Sequence, residues 1–181
     1  LAAGAAIQVL TGIPAAWGVF QQPVMDEYGL SEQGAGYAFG ILIAAFGVGC
    51  VLGGFLQDSR GPRCAALWGT ALLCGGFFAA AMLPGGSAGS FFLAFSIPAG
   101  LGTAFLYPSI QSCAQKWYAG RKGLATGVIG GAVGLSGAFL TVFVRTAVSG
   151  FGIVQGIRGA FWALGAITLP VCLAGSLLMQ D

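Results

Sequence analysis

The sequence predicts an all-α membrane protein of six transmembrane helices, arranged as two sets of three related by an inverted repeat. Three observations carry that prediction. Hydrophobic residues make up 57% of the chain, charged residues only 7%, and the mean hydropathy is +0.89. A soluble domain carries roughly a quarter charged residues, so seven basic and five acidic side chains cannot build a water-facing surface. The charges also cut the chain into lengths that fit a bilayer: 1–25, 33–57, 123–144 and 159–180 are charge-free, and 64–115 is a double-length gap. A spanning helix needs about 20 apolar residues at ~1.5 Å each. Finally, the apolar runs are continuous and lack the dyad alternation of a membrane barrel.

Six spans follow, near 2–21, 36–56, 65–83, 91–112, 124–146 and 159–179. The first is too long for a signal peptide, and no basic region precedes it. The second and fifth are crowded with glycines at four-residue spacing, which clears a helix face for a close neighbour; Gly49 and Gly53, and Gly127 and Gly131, are the candidate packing pairs. The third and fourth fill the double-length gap and are separated by the turn signal Leu83-Pro84-Gly85-Gly86-Ser87. Proline marks the first span (Pro14) and the fourth (Pro98, Pro108). Matching features in spans one and four, and in two and five, are what an inverted three-plus-three repeat leaves. The chain starts at Leu1 and stops at Asp181 as the sixth helix runs out, so residues 1–181 are expected to be one six-helix bundle of a longer protein.

Basic residues set the expected orientation. Arg60 and Arg63, with Lys116, Arg121 and Lys122, lie in loops on one side; Arg145 and Arg158 lie on the other with Asp26, Glu27 and Glu32. The excess places the former loops and both chain ends in the cytoplasm of a cell membrane, inner or plasma. Trp17, Trp117 and Trp162 fall near span ends, as an aromatic belt requires. Five scattered cysteines without a CxxC spacing, and no histidine, read as apolar fillers rather than a metal site, and no cofactor is implied. A net charge of +2 without a basic cluster excludes nucleic acid as a partner.

The longest knot of charge and turn chemistry is GGFLQDSRGPRC, residues 53–64. Here the chain resembles the major facilitator superfamily, whose hallmark between the second and third helices is G-x-L-x-D-R-x-G-R-R. Gly54, Leu56, Asp58, Gly61 and Arg63 match; Ser59 stands where the first arginine is expected, Arg60 follows one place later, and Pro62 replaces another arginine. The resemblance implies that this stretch is a conformational latch, with Asp58 meeting the positive end of a helix in an opposite six-helix half. Residues 99–137, from Ala99-Gly100-Leu101-Gly102 through Leu124-Ala125-Thr126-Gly127, resemble the oxalate:formate antiporter and monocarboxylate transporter families, as does Trp17-Gly18-Val19-Phe20 with Pro23. The implied architecture is half of a twelve-helix fold with a carboxy-terminal six-helix partner.

Polar residues recur at helical spacing along the first span (Gln8, Thr11, Ala15, Gly18, Gln22) and the fourth (Gly100, Thr103, Tyr107, Gln111). Such stripes turn away from lipid, toward other helices or a watery cavity. Gln8, Thr11, Trp17, Tyr107 and Gln111 are the candidates for a substrate cavity. No ionisable residue lies at mid-depth in any span, so a charge that pairs with a carboxylate must come from the implied second half. Taken together these features point to secondary transport of small organic anions such as mono- or dicarboxylates by alternating access, with a coupling proton left open. The alternatives are an oligomeric six-helix channel, which full-length spans disfavour, and a facilitator for another solute. An enzyme lacks equipment, since no histidine is present and no two acids share a span.

Overall fold

The computed structural model describes residues 1–83, 88–148 and 156–179. Every regular element among them is helical: α1 (Ala2–Thr11), α2 (Ile13–Tyr28), α3 (Glu32–Arg60), α4 (Pro62–Met82), α5 (Ala88–Phe91), α6 (Ile97–Trp117), α7 (Lys122–Val148) and α8 (Gly156–Leu178). Together they make six membrane-length apolar segments, Ala2–Tyr28, Glu32–Arg60, Pro62–Met82, Gly89–Trp117, Ala119–Thr146 and Gly156–Leu177. The six expected spans are all present, and most run several residues past the apolar stretch. A helix of 29 residues, as in the second span, is about 43 Å long, matching the ~40–45 Å of a bilayer with its headgroups. The expected turn at residues 84–87 lies outside the described residues.

Local chemistry fixes the helix ends. Ser31 opens α3, its Oγ accepting the Gly34 N–H at 3.1 Å. Glu32 in the first turn of α3 and Arg60 in the last suit the helix dipole. The loop between the expected second and third spans contracts to Gly61 alone, because Gln57 to Arg60 stay helical and Pro62 starts α4. Gly61 has φ +83°, a conformation that strains any side chain. Two irregularities interrupt the spans: the first is broken at Gly12, and the fourth carries a π turn at Phe92–Ser96 just before Pro98. Pro98 has no N–H to continue the regular ladder, and Ile97 N–H bonds Phe92 O instead.

Packing follows the repeat. The second span lies on the fourth and the fifth on the first, pairings that exchange when spans one to three are swapped for four to six. The core divides by depth. Toward the end bearing Asp26, Glu27 and Glu32, here the acidic end, Phe20, Tyr28, Phe77, Phe91, Phe95 and Phe161 are fully buried and contact one another ring to ring. Across the middle, glycines let backbones meet: a Cβ at Gly49 would sit 2.6 Å from Ala104 Cβ, and one at Gly102 2.5 Å from Leu73 N. The opposite, basic end carries Arg60, Arg63, Lys116, Arg121 and Lys122.

The packing pairs need one correction. Gly49 and Gly53 are closed against the fourth span, but Gly127 and Gly131 meet nothing within 4 Å, nor do Gly123, Gly130 and Gly134. The glycine spacing of the fifth span therefore makes an open face of this bundle, since α7 turns its other side to the first span.

Candidate functional site

The first span breaks where sequence and neighbours combine. Pro14 cannot donate a backbone hydrogen bond, which frees a carbonyl one turn earlier. Gly12 N–H closes α1 on Gln8 O at 3.1 Å, and Ala15 N–H opens α2 on Gly12 O at 3.1 Å. In lipid the loosened carbonyls need donors from other helices. Ser136 Oγ of α7 lies 3.0 Å from Gly12 O, sharing its hydroxyl with its own Val133 O at 2.5 Å, and Thr103 Oγ1 of α6 approaches Thr11 O at 3.4 Å while bonding its own Ala99 O at 2.8 Å. Gly12 is obligatory here, because a Cβ would fall 2.0 Å from Ser136 Oγ.

A cavity of about 340 Å³ opens beside the break. Gln8, Gly12, Pro14 and Ala15 border it from the first span, Thr103 and Tyr107 from the fourth, with Phe46 and Val133 completing the wall. Gln8 is 1% exposed, and its Nε2 has no hydrogen-bond partner; its Oε1 lies 3.5 Å from Thr11 Oγ1. Tyr107 is half-buried with its ring tilted against Phe46, centroids 6.4 Å apart. The wall is therefore mostly hydrocarbon and aromatic, with a buried amide donor and two hydroxyls. That is how small-ligand sites are built: apolar lining, with a few polar groups to fix orientation.

The structure brings Gln8 and Tyr107 into this wall and separates the other three candidates from it. Thr11 is fully buried behind the cavity, its hydroxyl near Gln8. Gln111 is half-buried one turn beyond Tyr107 toward the basic end, with Oε1 buried and unpartnered, outside the lining. Trp17 is corrected both as a cavity residue and as a belt residue. It is 5% exposed and stacks on Phe39 and Phe95, centroids 6.1 and 6.3 Å away. Two residues past Ala15 is about 200° around a helix, so Trp17 faces the core while Ala15 faces the cavity. Sequence reasoning passed over Gly12, Phe46, Val133 and Ser136; the triplet Gly12-Ile13-Pro14 was the available signal for the break.

The charged motif lies at the basic end. Arg63 Nε donates to Met179 O at 3.1 Å and Nη2 to Leu177 O, so the start of α4 caps the last turn of α8. Asp58 is exposed and has no ion pair among the described residues. Of the motif's neighbouring glycines, a Cβ at Gly54 meets nothing within 4 Å, whereas one at Gly53 would lie 2.9 Å from Phe105 Cδ1, as its place among the packing pairs requires. Two hydrogen bonds from side-chain amides tie neighbouring spans at this end, Gln57 Nε2 donating to Ser112 Oγ at 2.9 Å and Gln115 Nε2 to Thr126 Oγ1 at 3.0 Å. At the acidic end Arg158 Nε pairs with Glu27 Oε1 at 2.7 Å, and Tyr28 Oη donates to Ala80 O at 2.7 Å.

A bundle of six membrane-length apolar helices, with a broken first helix beside a cavity, has the architecture of an integral membrane protein. The sequence profile of the Major Facilitator Superfamily matches residues 2–181, and the chain belongs to that family. Similar proteins include an uncharacterized 38 kDa protein in a 23S RNA operon of Thermoproteus tenax, 29% identical over 164 residues, 91% of this chain and 41% of the relative. The oxalate:formate antiporter of Oxalobacter formigenes is 24% identical over 159 residues, 88% of this chain and 36% of its own. Monocarboxylate transporter 9 of Rattus norvegicus is 29% identical over 174 residues, 92% and 32% respectively. The chain thus spans about two fifths or less of the length of these relatives.

Proposed function

We propose that residues 1–181 form the amino-terminal half of a secondary transporter for small organic anions, working by alternating access against a carboxy-terminal six-helix half. The observation that carries this reading is the break at Gly12 and the cavity beside it, where Gln8 holds an unpartnered amide donor next to Tyr107. A carboxylate oxygen is an acceptor that such a donor suits. The wall offers no cation, so the charge partner is assigned to the second half, in keeping with two relatives, an oxalate:formate antiporter and a monocarboxylate transporter. In this reading both chain ends lie in the cytoplasm, and Asp58, without an ion pair among the described residues, acts as a latch toward the other half.

The test is exchange of formate and oxalate by the twelve-helix protein in proteoliposomes. Gln8→Leu keeps the volume near constant and removes the donor; it weakens binding about ten- to a hundredfold, the ~1.5–3 kcal/mol worth of one hydrogen bond to a charged acceptor. Tyr107→Phe costs less, about two- to fivefold, if its hydroxyl contacts the anion directly. Asp58→Asn instead slows exchange severalfold with little change in affinity, since it acts on an equilibrium between states. Exchange and affinity unaffected by Gln8→Leu would remove the cavity from the transport path.

A further inference from the structure

A second cavity, about 470 Å³, lies toward the acidic end between the first and fifth spans. Gly18, Gln22 and Asp26 of α2 line it together with Val144 and Arg145 of α7. Gly18, Gln22 and Asp26 continue the helical stripe that begins at Ala15, so the two cavities lie end to end along one face of the first span. From Ala15 to Asp26 the helix rises roughly 16 Å.

The charges in this cavity are arranged unequally. Asp26 Oδ1 accepts a bond from Gln22 Nε2 at 3.2 Å, one turn back on its own helix. Arg145 borders the same cavity yet makes no ion pair among the described residues, and the neighbouring cation Arg158 is already committed to Glu27 at 2.7 Å. A guanidinium left free at the rim of a concave, partly apolar opening is a donor fork suited to carboxylate. Its field, focused by the cavity walls, also raises the local concentration of anions.

We infer that Arg145 is an entry site for the transported anion at the acidic end, from which the solute passes along the Gln22, Gly18 and Ala15 stripe to the break at Gly12. Asp26 opposes it and weakens the hold, so that the anion is captured and then released inward. The inference rests on the reading of the solute as an organic anion.

Opposite signs make it testable. In the twelve-helix protein, initial rates of formate and oxalate uptake into proteoliposomes are measured at ~0.02 M and ~0.5 M ionic strength, where the Debye length falls from about 20 Å to about 4 Å. Arg145→Gln raises KM about threefold for formate and more for doubly charged oxalate at low salt, and Arg145→Lys restores most of it. Asp26→Asn lowers KM. Both effects fade at high salt. A merely structural role moves both variants the same way; that result, changes below twofold in both, or changes that persist at high salt, would overturn the entry site and leave the anion reading intact. Both side chains are exposed, so should one variant fail to fold, the other still decides. If neither anion is taken up, or a cationic solute is carried with the two signs reversed, the anion reading falls together with this one.

Discussion

Ser136 and Gly12 form one unit although 124 residues separate them. The serine supplies a donor to the broken helix and occupies the volume that a side chain at position 12 would need. Gly12→Ala is therefore expected to destabilise the protein by about 1–3 kcal/mol through overpacking, read as a lowered melting temperature in detergent. Adding Ser136→Gly restores space but not the donor, so the double variant recovers part of the loss. Equal melting for the single and double variants would show that the two residues are uncoupled. This coupling was not legible in the sequence, because a proline in a membrane helix is common and its compensating donor lies four spans away. Gln8 and Tyr107 were legible, since a 3.6-residue period sets which face a polar residue joins. Trp17 was misread because a family-like tetrapeptide was weighed above that period, which points its ring at Phe39 and Phe95.

Number and order of the helices could be read directly, as charges are too costly to leave inside a bilayer and so mark its edges. Their lengths could not, because headgroup-depth turns tolerate polar side chains and carry helix past the apolar stretch, as at Gln22 and Asp26. Glycine spacing shows that a face can be approached but not what approaches it. The two glycine-rich spans consequently behave differently. Gly49→Leu must displace Ala104 and the backbone at Leu101, and folded yield should collapse. Gly131→Leu has open space around it in this bundle and should leave the yield of residues 1–181 near normal. Fluorescence-detected size exclusion of the two variants separates these outcomes; comparable losses in both would mean that the α7 face is covered within this chain.

Five of seven basic residues gather at one end of the molecule, together with Asp58, while Arg145 and Arg158 share the other end with three acids. The expected topology follows from that imbalance and is open to direct measurement. Single cysteines are placed at Gln33 and Ser59, both exposed, on a background from which the five native cysteines have been removed. An impermeant thiol reagent added to intact cells should label position 33 and spare position 59. Labelling confined to position 59 reverses the orientation, and with it the face on which Arg145 meets solute. Arg63, which caps the last turn of α8, also joins the basic turn to the sixth span, so the two ends of the bundle are fastened separately: there by this cap, at the acidic end by Glu27 with Arg158.

The broken first helix has a consequence for biosynthesis. It is the least hydropathic of the six spans, at 1.4 against 1.5–2.3 for the others, and it leaves the ribosome first. The donors that satisfy its break lie on helices made 92 and 124 residues later. At about 5–20 residues per second that interval is on the order of ten seconds, during which the helix must be sheltered by the insertion machinery or wait at the lipid boundary without its interhelical donors. Release into the bilayer is expected to follow the arrival of Ser136, and a chain stopped before the fifth span should leave its first helix still cross-linkable to the translocon.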